Sequence, residues 1–256
     1  MKRNRSILLT ICLVLPMLFV ASCAGRSKAG FQGSECHSRI DDAIEAYERQ
    51  REGNAIKILD DLKFHCGGLD MMDTVHYYLG MSHKSLKQHV DARIEFERLR
   101  REHPFSPFAA EAHFRIGEIL YSQSNPPDRD QTQTIEAIRV LNEFLSLYPS
   151  SEFADSATTF RDNGVDKLAE KEYLNARFYR RQGKKEASLV YYNSLIAKYA
   201  STSHATNGLV GKAEVLIELG RHREAAETLE QLQGIELDEE LSRRVQIMNT
   251  VLSDRS

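Results

Sequence analysis

The chain has 256 residues, with 34 Lys and Arg against 37 Asp and Glu, and a formal net charge of −3. Hydrophobic residues at 41% and charged residues at 28% are the balance of a folded domain and exclude a disordered chain. Setting aside Lys2, Arg3 and Arg5 of an N-terminal leader leaves 31 of the 34 basic residues against all 37 acidic ones, so there is no broad cationic footprint for nucleic acid.

Residues 1–22 read as a secretory signal: three basic residues, then an apolar run from Ile7 to Val20. That run is shorter than the roughly 20 residues that span a bilayer, so it reads as a cleavable leader. It ends in Val20-Ala21-Ser22-Cys23, the pattern of a bacterial lipobox, which makes Cys23 the expected lipidation site. Each buried lipid CH₂ contributes about 0.8 kcal/mol, so an anchor of two or three acyl chains at Cys23 holds permanently. By resemblance to enterobacterial lipoproteins, Ala24 in place of Asp after the cysteine directs the protein to the outer membrane. Residues 23–36 read as the lipidated cysteine and a flexible tether, with Gly25, Gly30 and Gly33.

Cys36 and Cys66 are then the remaining thiols, just before the first expected helix and just after the second. In an antiparallel hairpin those ends are neighbours, so a disulfide is geometrically reasonable, and it would stabilise by about 3–4 kcal/mol. Free thiols remain an alternative. A zinc site with His37 and His65 is another, although the spacing matches no common zinc motif.

From Ile40 onward the chain reads as an all-α, tetratricopeptide-type repeat array of about five units and a C-terminal capping helix. In such a unit a small residue of helix A faces a small residue of helix B, and a bulky residue follows four positions on. Gly80, Ala92, Phe96 and Pro104 fit this spacing, as do Gly117, Ala137, Leu141 and Pro149 with an insertion at 125–132. Ala176, Gly183, Ser188 and Tyr192 mark a fourth unit, and Ala213, Gly220, Ala225 and Leu229 a fifth. The first unit is the least regular: Ala46, Gly53, Ile58 and Leu62, with Gly53 taken as the turn position that Lys87 occupies in the second. Repeats 1–3 occupy 37–149. Residues 150–256 hold a long helical segment, repeats 4 and 5 and the cap. The stretch 152–182 reads as one long helix, or as two meeting at Asp162-Asn163-Gly164. Asp238-Glu239-Glu240 begins the capping helix, with acid at its N-terminus.

No phosphate loop, nucleophile elbow or His-Glu-x-x-His helix is present, so no enzyme, cofactor or metal is expected. His76 and His83 lie two helical turns apart and read as packing or surface residues. Counting from the small residue of each helix A, the inward positions are Tyr47 and Gln50, then Tyr77, Met81 and Lys84, then Phe114, Glu118 and Tyr121. These predict an aromatic groove with one cation. A basic cluster, Arg177, Arg180, Arg181, Lys184 and Lys185, marks the fourth repeat.

The lipobox at Cys23, Pro126-Pro127-Asp128-Arg129-Asp130-Gln131-Thr132, Leu168-Ala169-Glu170-Lys171-Glu172-Tyr173 leading to Gly183, and the run Tyr191 to Tyr199 carry a resemblance over nearly the whole mature chain. The chain resembles the BamD family of repeat lipoproteins, which serve the machinery that folds β-barrels into the outer membrane. Two features depart from the family pattern: the Cys36/Cys66 pair, and Tyr199-Ala200 where Tyr-Pro is usual. The resemblance implies a non-enzymatic scaffold on the periplasmic face of the outer membrane. Its implied partners are the periplasmic domains of a BamA-type barrel protein, other lipoproteins of that complex and unfolded outer-membrane proteins. In that reading the aromatic groove takes the C-terminal ring of a barrel segment, Lys84 takes its carboxylate, and the basic cluster docks on the BamA-type partner. The other class to weigh is a repeat lipoprotein of envelope maintenance, coordinating peptidoglycan synthesis or Tol-Pal constriction.

Overall fold

The computed structural model describes residues 33–254; the leader, the lipobox cysteine Cys23 and the tether up to residue 32 lie outside the described residues. Eleven α-helices and no strand are found among the described residues. They are α1 Gly33–Glu48, α2 Glu52–His65, α3 Met72–Ser85, α4 His89–Glu102, α5 Ala109–Ser122, α6 Thr132–Leu147, α7 Ala154–Arg181, α8 Lys185–Lys198, α9 Ser203–Glu218, α10 His222–Glu230 and α11 Glu239–Ser253. Consecutive helices pair as five hairpins, each hairpin packs on the next, and α11 lies against α9 and α10. The fold is a tetratricopeptide-type solenoid in which each unit buries its apolar face against its neighbours.

Glycine sets the closeness of the helices. A Cβ placed on Gly80 of α3 would lie 2.5 Å from the Phe96 ring of α4, and one on Gly117 of α5 would lie 2.6 Å from Leu141 of α6. The small residue of helix A therefore makes room for the bulky residue of helix B, rather than for its small one. The same device recurs between hairpins, where Gly211 of α9 meets Tyr192 of α8.

Turns inside the hairpins are built alike. Gln50, Lys87, Gly183 and Gly220 all have φ between 56° and 75°. At each, the amide bonds back three residues and the next amide bonds back five, as in Arg51 N to Ala46 O and Lys184 N to Tyr179 O. This is the Schellman closure of a helix C-terminus. It corrects the expected register of the first repeat: the position equivalent to Lys87 is Gln50, and Gly53 lies inside α2.

Turns between hairpins also repeat. Ser106 N bonds His103 O and Ala109 N bonds Ser106 O; Tyr148, Ser151 and Ala154 do the same, as do Tyr199, Thr202 and Ala205. The third turn closes on backbone bonds without the proline, which is why Ala200 is tolerated there.

Helix α7 is a single helix of 28 residues, and Gly164 is a packing residue rather than a breaker, since a Cβ there would lie 2.9 Å from Ile138 of α6. α7 packs on α6 of the third hairpin and pairs with α8 in the fourth, so the long segment joins the two units. The chain is already helical at Gly33, so residues 33–36 belong to α1 and not to the tether. Cys36 is buried there and joined to Cys66 by a disulfide, with Cα atoms 6.2 Å apart. Both thiols are thereby consumed, which removes the free-thiol and Cys/His zinc readings.

Candidate functional site

An aromatic cluster gathers around the second hairpin. Tyr77 stacks on Phe108 with ring centroids 4.2 Å apart, Tyr78 sits edge-on to Tyr77 at 5.2 Å, and Tyr47 meets Tyr78 at 5.5 Å. Tyr77, Tyr78 and Tyr47 are all half-buried, so each presents ring surface to solvent. Phe108 and Tyr78 were not among the expected groove residues; Phe108 enters through the turn after Pro107, and Tyr78 lies beside Tyr77 on α3.

Beneath these rings runs an ordered polar chain. The Tyr77 hydroxyl donates to Glu111 at 2.8 Å, Arg115 donates to Glu111 at 2.7 Å and to Glu118 at 3.0 Å, and Lys84 pairs with Glu118 at 3.1 Å. Burial and the bond to Glu111 push the Tyr77 phenol up from its ordinary pKa, so it stays a hydrogen-bond donor. The guanidinium of Arg115 lies 5.3 Å from the Phe114 and Phe153 centroids, and Lys167 sits 4.7 Å over Tyr121.

Two expected groove residues are relocated by this geometry. Phe114 is a core residue, 3% exposed, because the stacked Phe153 at 5.1 Å and the nearby Phe144 and Phe160 enclose it. Lys84 is not a lone cation: Glu118, one turn beyond Phe114 on α5, neutralises it. Tyr47, Tyr77, Met81 and Tyr121 are partly exposed.

The basic cluster of the fourth hairpin also divides. Arg180 of α7 is bidentate, paired with Glu214 and with Glu218 of α9, and Lys185 joins Glu218 at 3.2 Å. Arg244 of α11 pairs with Glu214 at 2.8 Å, so one carboxylate ties α7, α9 and the cap together. Arg180 is opposed by burial, but its hydrogen bonds to both glutamates outweigh that and raise its pKa. Arg177, Arg181 and Lys184 are exposed and pair with no carboxylate among the described residues.

His76 is buried in hairpin 2, with Nδ1 2.6 Å from Glu95 Oε2, while Lys63 of α2 donates to Glu95 Oε1 at 2.9 Å. Burial opposes ionisation of Glu95, but the bonds from His76 and Lys63 prevail and hold its carboxyl at about 2. His83 Nδ1 bonds Gln88 Oε1 at 2.6 Å, away from the Glu95 carboxylate that holds His76.

With this geometry in place, comparison with known proteins decides the family. The family model described as "YfiO: Outer membrane lipoprotein" matches residues 39–232. The chain belongs to the YfiO outer membrane lipoprotein family. The outer membrane protein assembly factor BamD of Caulobacter vibrioides is 24% identical over 84% of this chain and 72% of that protein. The BamD of Neisseria meningitidis serogroup A is 26% identical over 61% of each chain. The putative BamD of Aquifex aeolicus is 26% identical over 77% of this chain and 64% of its own length. The match thus spans less than two thirds of the Neisseria and Aquifex relatives. Among solved structures, a thermophilic TPR protein of Thermus thermophilus is similar over 84% of this chain and 99% of its own, at 15% identity and a TM-score of 0.37. A tetratricopeptide repeat protein from Parabacteroides merdae covers 86% of each chain at 12% identity and a TM-score of 0.40.

Proposed function

We propose that the chain is a non-enzymatic, lipid-anchored scaffold of an outer-membrane β-barrel assembly machinery. Family membership is the observation that carries this reading: the relatives it matches are named outer membrane protein assembly factors. The lipobox at Cys23 supports anchoring by acyl chains. Among the described residues no helix is long and apolar enough to cross a membrane.

Two faces divide the work in this reading. The aromatic face around Tyr77, Tyr78, Tyr47 and Phe108 holds unfolded barrel segments, with Tyr77 as the central anchor. Its two cations are matched by Glu111 and Glu118, so ring contact carries affinity there, and Lys84 receives a substrate carboxylate only by sharing it with Glu118. The exposed cations Arg177, Arg181 and Lys184 orient docking on a BamA-type partner's periplasmic domains, and other lipoproteins of the complex assemble around them. Such charges favour encounter rate and register more than raw affinity.

The test is purification of the full-length lipoprotein from its own mildly solubilised envelope, with mass spectrometry of what accompanies it. A large barrel protein with several periplasmic domains is the expected companion. Peptidoglycan synthases or Tol-Pal components in its place would overturn the proposal and favour a role in envelope maintenance. For the aromatic face, Tyr77→Ala should weaken binding of a barrel-derived C-terminal peptide, and unchanged affinity would remove that assignment.

A further inference from the structure

The end of the second hairpin holds a cluster that neither the aromatic face nor the basic patch uses. His76 of α3, Glu102 at the end of α4 and His103 just beyond it each place one ligand atom within 4.8 Å of the others. They line a cavity of about 620 Å³ together with Lys63, Asp70 and Arg98, beside the Gly67-Gly68 turn that follows the disulfide.

The decisive feature is how His76 is held. Its Nδ1 faces Glu95, which Lys63 keeps as a carboxylate through the other oxygen. A carboxylate accepts, so the hydrogen bond puts a proton on Nδ1 and leaves Nε2 as the nitrogen available to a ligand. This is the arrangement in which a metal-binding imidazole is oriented by a carboxylate behind it. The imidazole is 3% exposed and cannot turn away, and His103 lies 6.1 Å from it, centroid to centroid. Glu102 is exposed, with Oε1 on Arg101 at 3.0 Å and Arg98 at 4.0 Å, which leaves its second oxygen for a ligand.

The geometry points to a site for a divalent transition-metal ion of the zinc class, ligated by His76, His103 and Glu102. Two imidazoles and one carboxylate suit zinc and its neighbours, whereas magnesium and calcium prefer oxygen throughout. Ligand atoms of a tetrahedral zinc site lie about 3.4 Å apart, so closure asks a shift of roughly 1 Å, which the exposed Glu102 and half-buried His103 can make. Asp70 or water completes the coordination. The positive charges of Lys63 and Arg98 at the cavity wall are offset by Glu95, Glu102 and Asp70. An ion there ties the start of α3 to the end of α4, on the side where hairpin 1 packs.

The experiment uses the full-length lipoprotein in mild detergent, without a histidine tag and stripped with EDTA, titrated calorimetrically with Zn²⁺. The expected result is one equivalent bound, a rise in Tm on binding, and ligand-field bands of four- or five-coordinate ion when Co²⁺ replaces Zn²⁺. His103→Ala should weaken binding at least roughly tenfold while leaving the metal-free Tm and far-UV circular dichroism unchanged. His76 is buried and its loss perturbs folding, so Glu102→Gln is the second variant, with a smaller loss expected. Absence of stoichiometric binding overturns the assignment. So does equal affinity in wild type and His103→Ala, which would put the ion at other histidines.

Discussion

The Cβ that alanine would bring to position 80 falls 2.5 Å from Cε1 of Phe96 and 2.7 Å from Cδ1, on a ring that is itself fully buried. Phe96 cannot swing clear, because Ala92 and Leu99 of its own helix and Ala112 and Ile116 of α5 are packed in the same core. Gly80→Ala should therefore destabilise the protein by about 1–3 kcal/mol, against the small gain in helix propensity that alanine brings. Urea unfolding checks it. Pairing the change with Phe96→Leu should return part of the loss, and additive costs would show that the two residues are not in conflict.

Gln50 and Lys87 hold left-handed backbone, at φ 56° and 58°, where the fourth and fifth hairpins have glycine. A side chain with a Cβ costs roughly 1 kcal/mol in that region, while glycine gives up some of that gain through the entropy of the unfolded chain. Gln50→Gly and Lys87→Gly should each raise stability by about 0.5 kcal/mol, and Gly183→Ala and Gly220→Ala should lower it by about 1 kcal/mol. Thermal melts of the four variants test the signs. A loss on Lys87→Gly would mean that the side chain, and not the backbone, determines that turn.

The repeat spacing was legible because it follows from packing rules local to a hairpin: Gly80 to Phe96 and Gly117 to Leu141 are sequence-close pairs whose sizes must match. Gly164 was ambiguous for the opposite reason. Its partner, Ile138, lies in the preceding helix, and a glycine that breaks a helix and one that admits a neighbour look alike in one dimension. The candidate site was legible only in part. Helical counting assigns Tyr47, Tyr77, Met81, Phe114 and Tyr121 to one face, but Phe114 lies in the core because Phe153, at the turn before α7, stacks over it. Likewise, the basic cluster is one patch in sequence, yet Arg180 is drawn out of it by Glu214 and Glu218 more than thirty residues away. Charge pairing across hairpins leaves no periodic trace.

That division of the basic cluster separates stability from docking. Arg180 links α7 to α9 through two glutamates, and Arg180→Glu would set three carboxylates together on one side of Arg244. Roughly 2–3 kcal/mol of destabilisation should follow, of the size seen when one partner leaves a partly buried, hydrogen-bonded ion pair. A weakened complex in that variant would then say nothing about docking. The triple variant Arg177→Glu, Arg181→Glu, Lys184→Glu changes exposed groups only, so its Tm should stay within a few degrees of wild type. Under the proposed scaffold role, its association rate with a BamA-type barrel protein should fall and become less sensitive to salt. Matching rates for triple variant and wild type would place the docking surface elsewhere.

His113 gives the fold a pH dependence of known sign. Its ring is fully buried between α5 and α6, and Arg100 Nη1 donates to Nε2 at 3.2 Å while also bonding Glu143 at 2.9 Å. Burial first, and the Arg100 charge second, push its pKa down to about 4 from the ordinary 6.5. The unfolded chain therefore takes up a proton near pH 6.5, and the folded chain does not until near pH 4. Between those values the unfolded state binds more protons, so this group makes stability fall as pH falls through the window. At about 1.4 kcal/mol for each pH step of one across that window, the loss approaches roughly 3 kcal/mol at the acid end, and above pH 6.5 the contribution is flat. His113→Gln keeps an acceptor for Arg100 but has no proton to gain. Urea midpoints measured from pH 7.5 to 4.5 should fall more shallowly in that variant than in wild type. Parallel slopes would show that His113 takes up its proton over the same pH range folded as unfolded, and that burial and Arg100 do not lower its pKa.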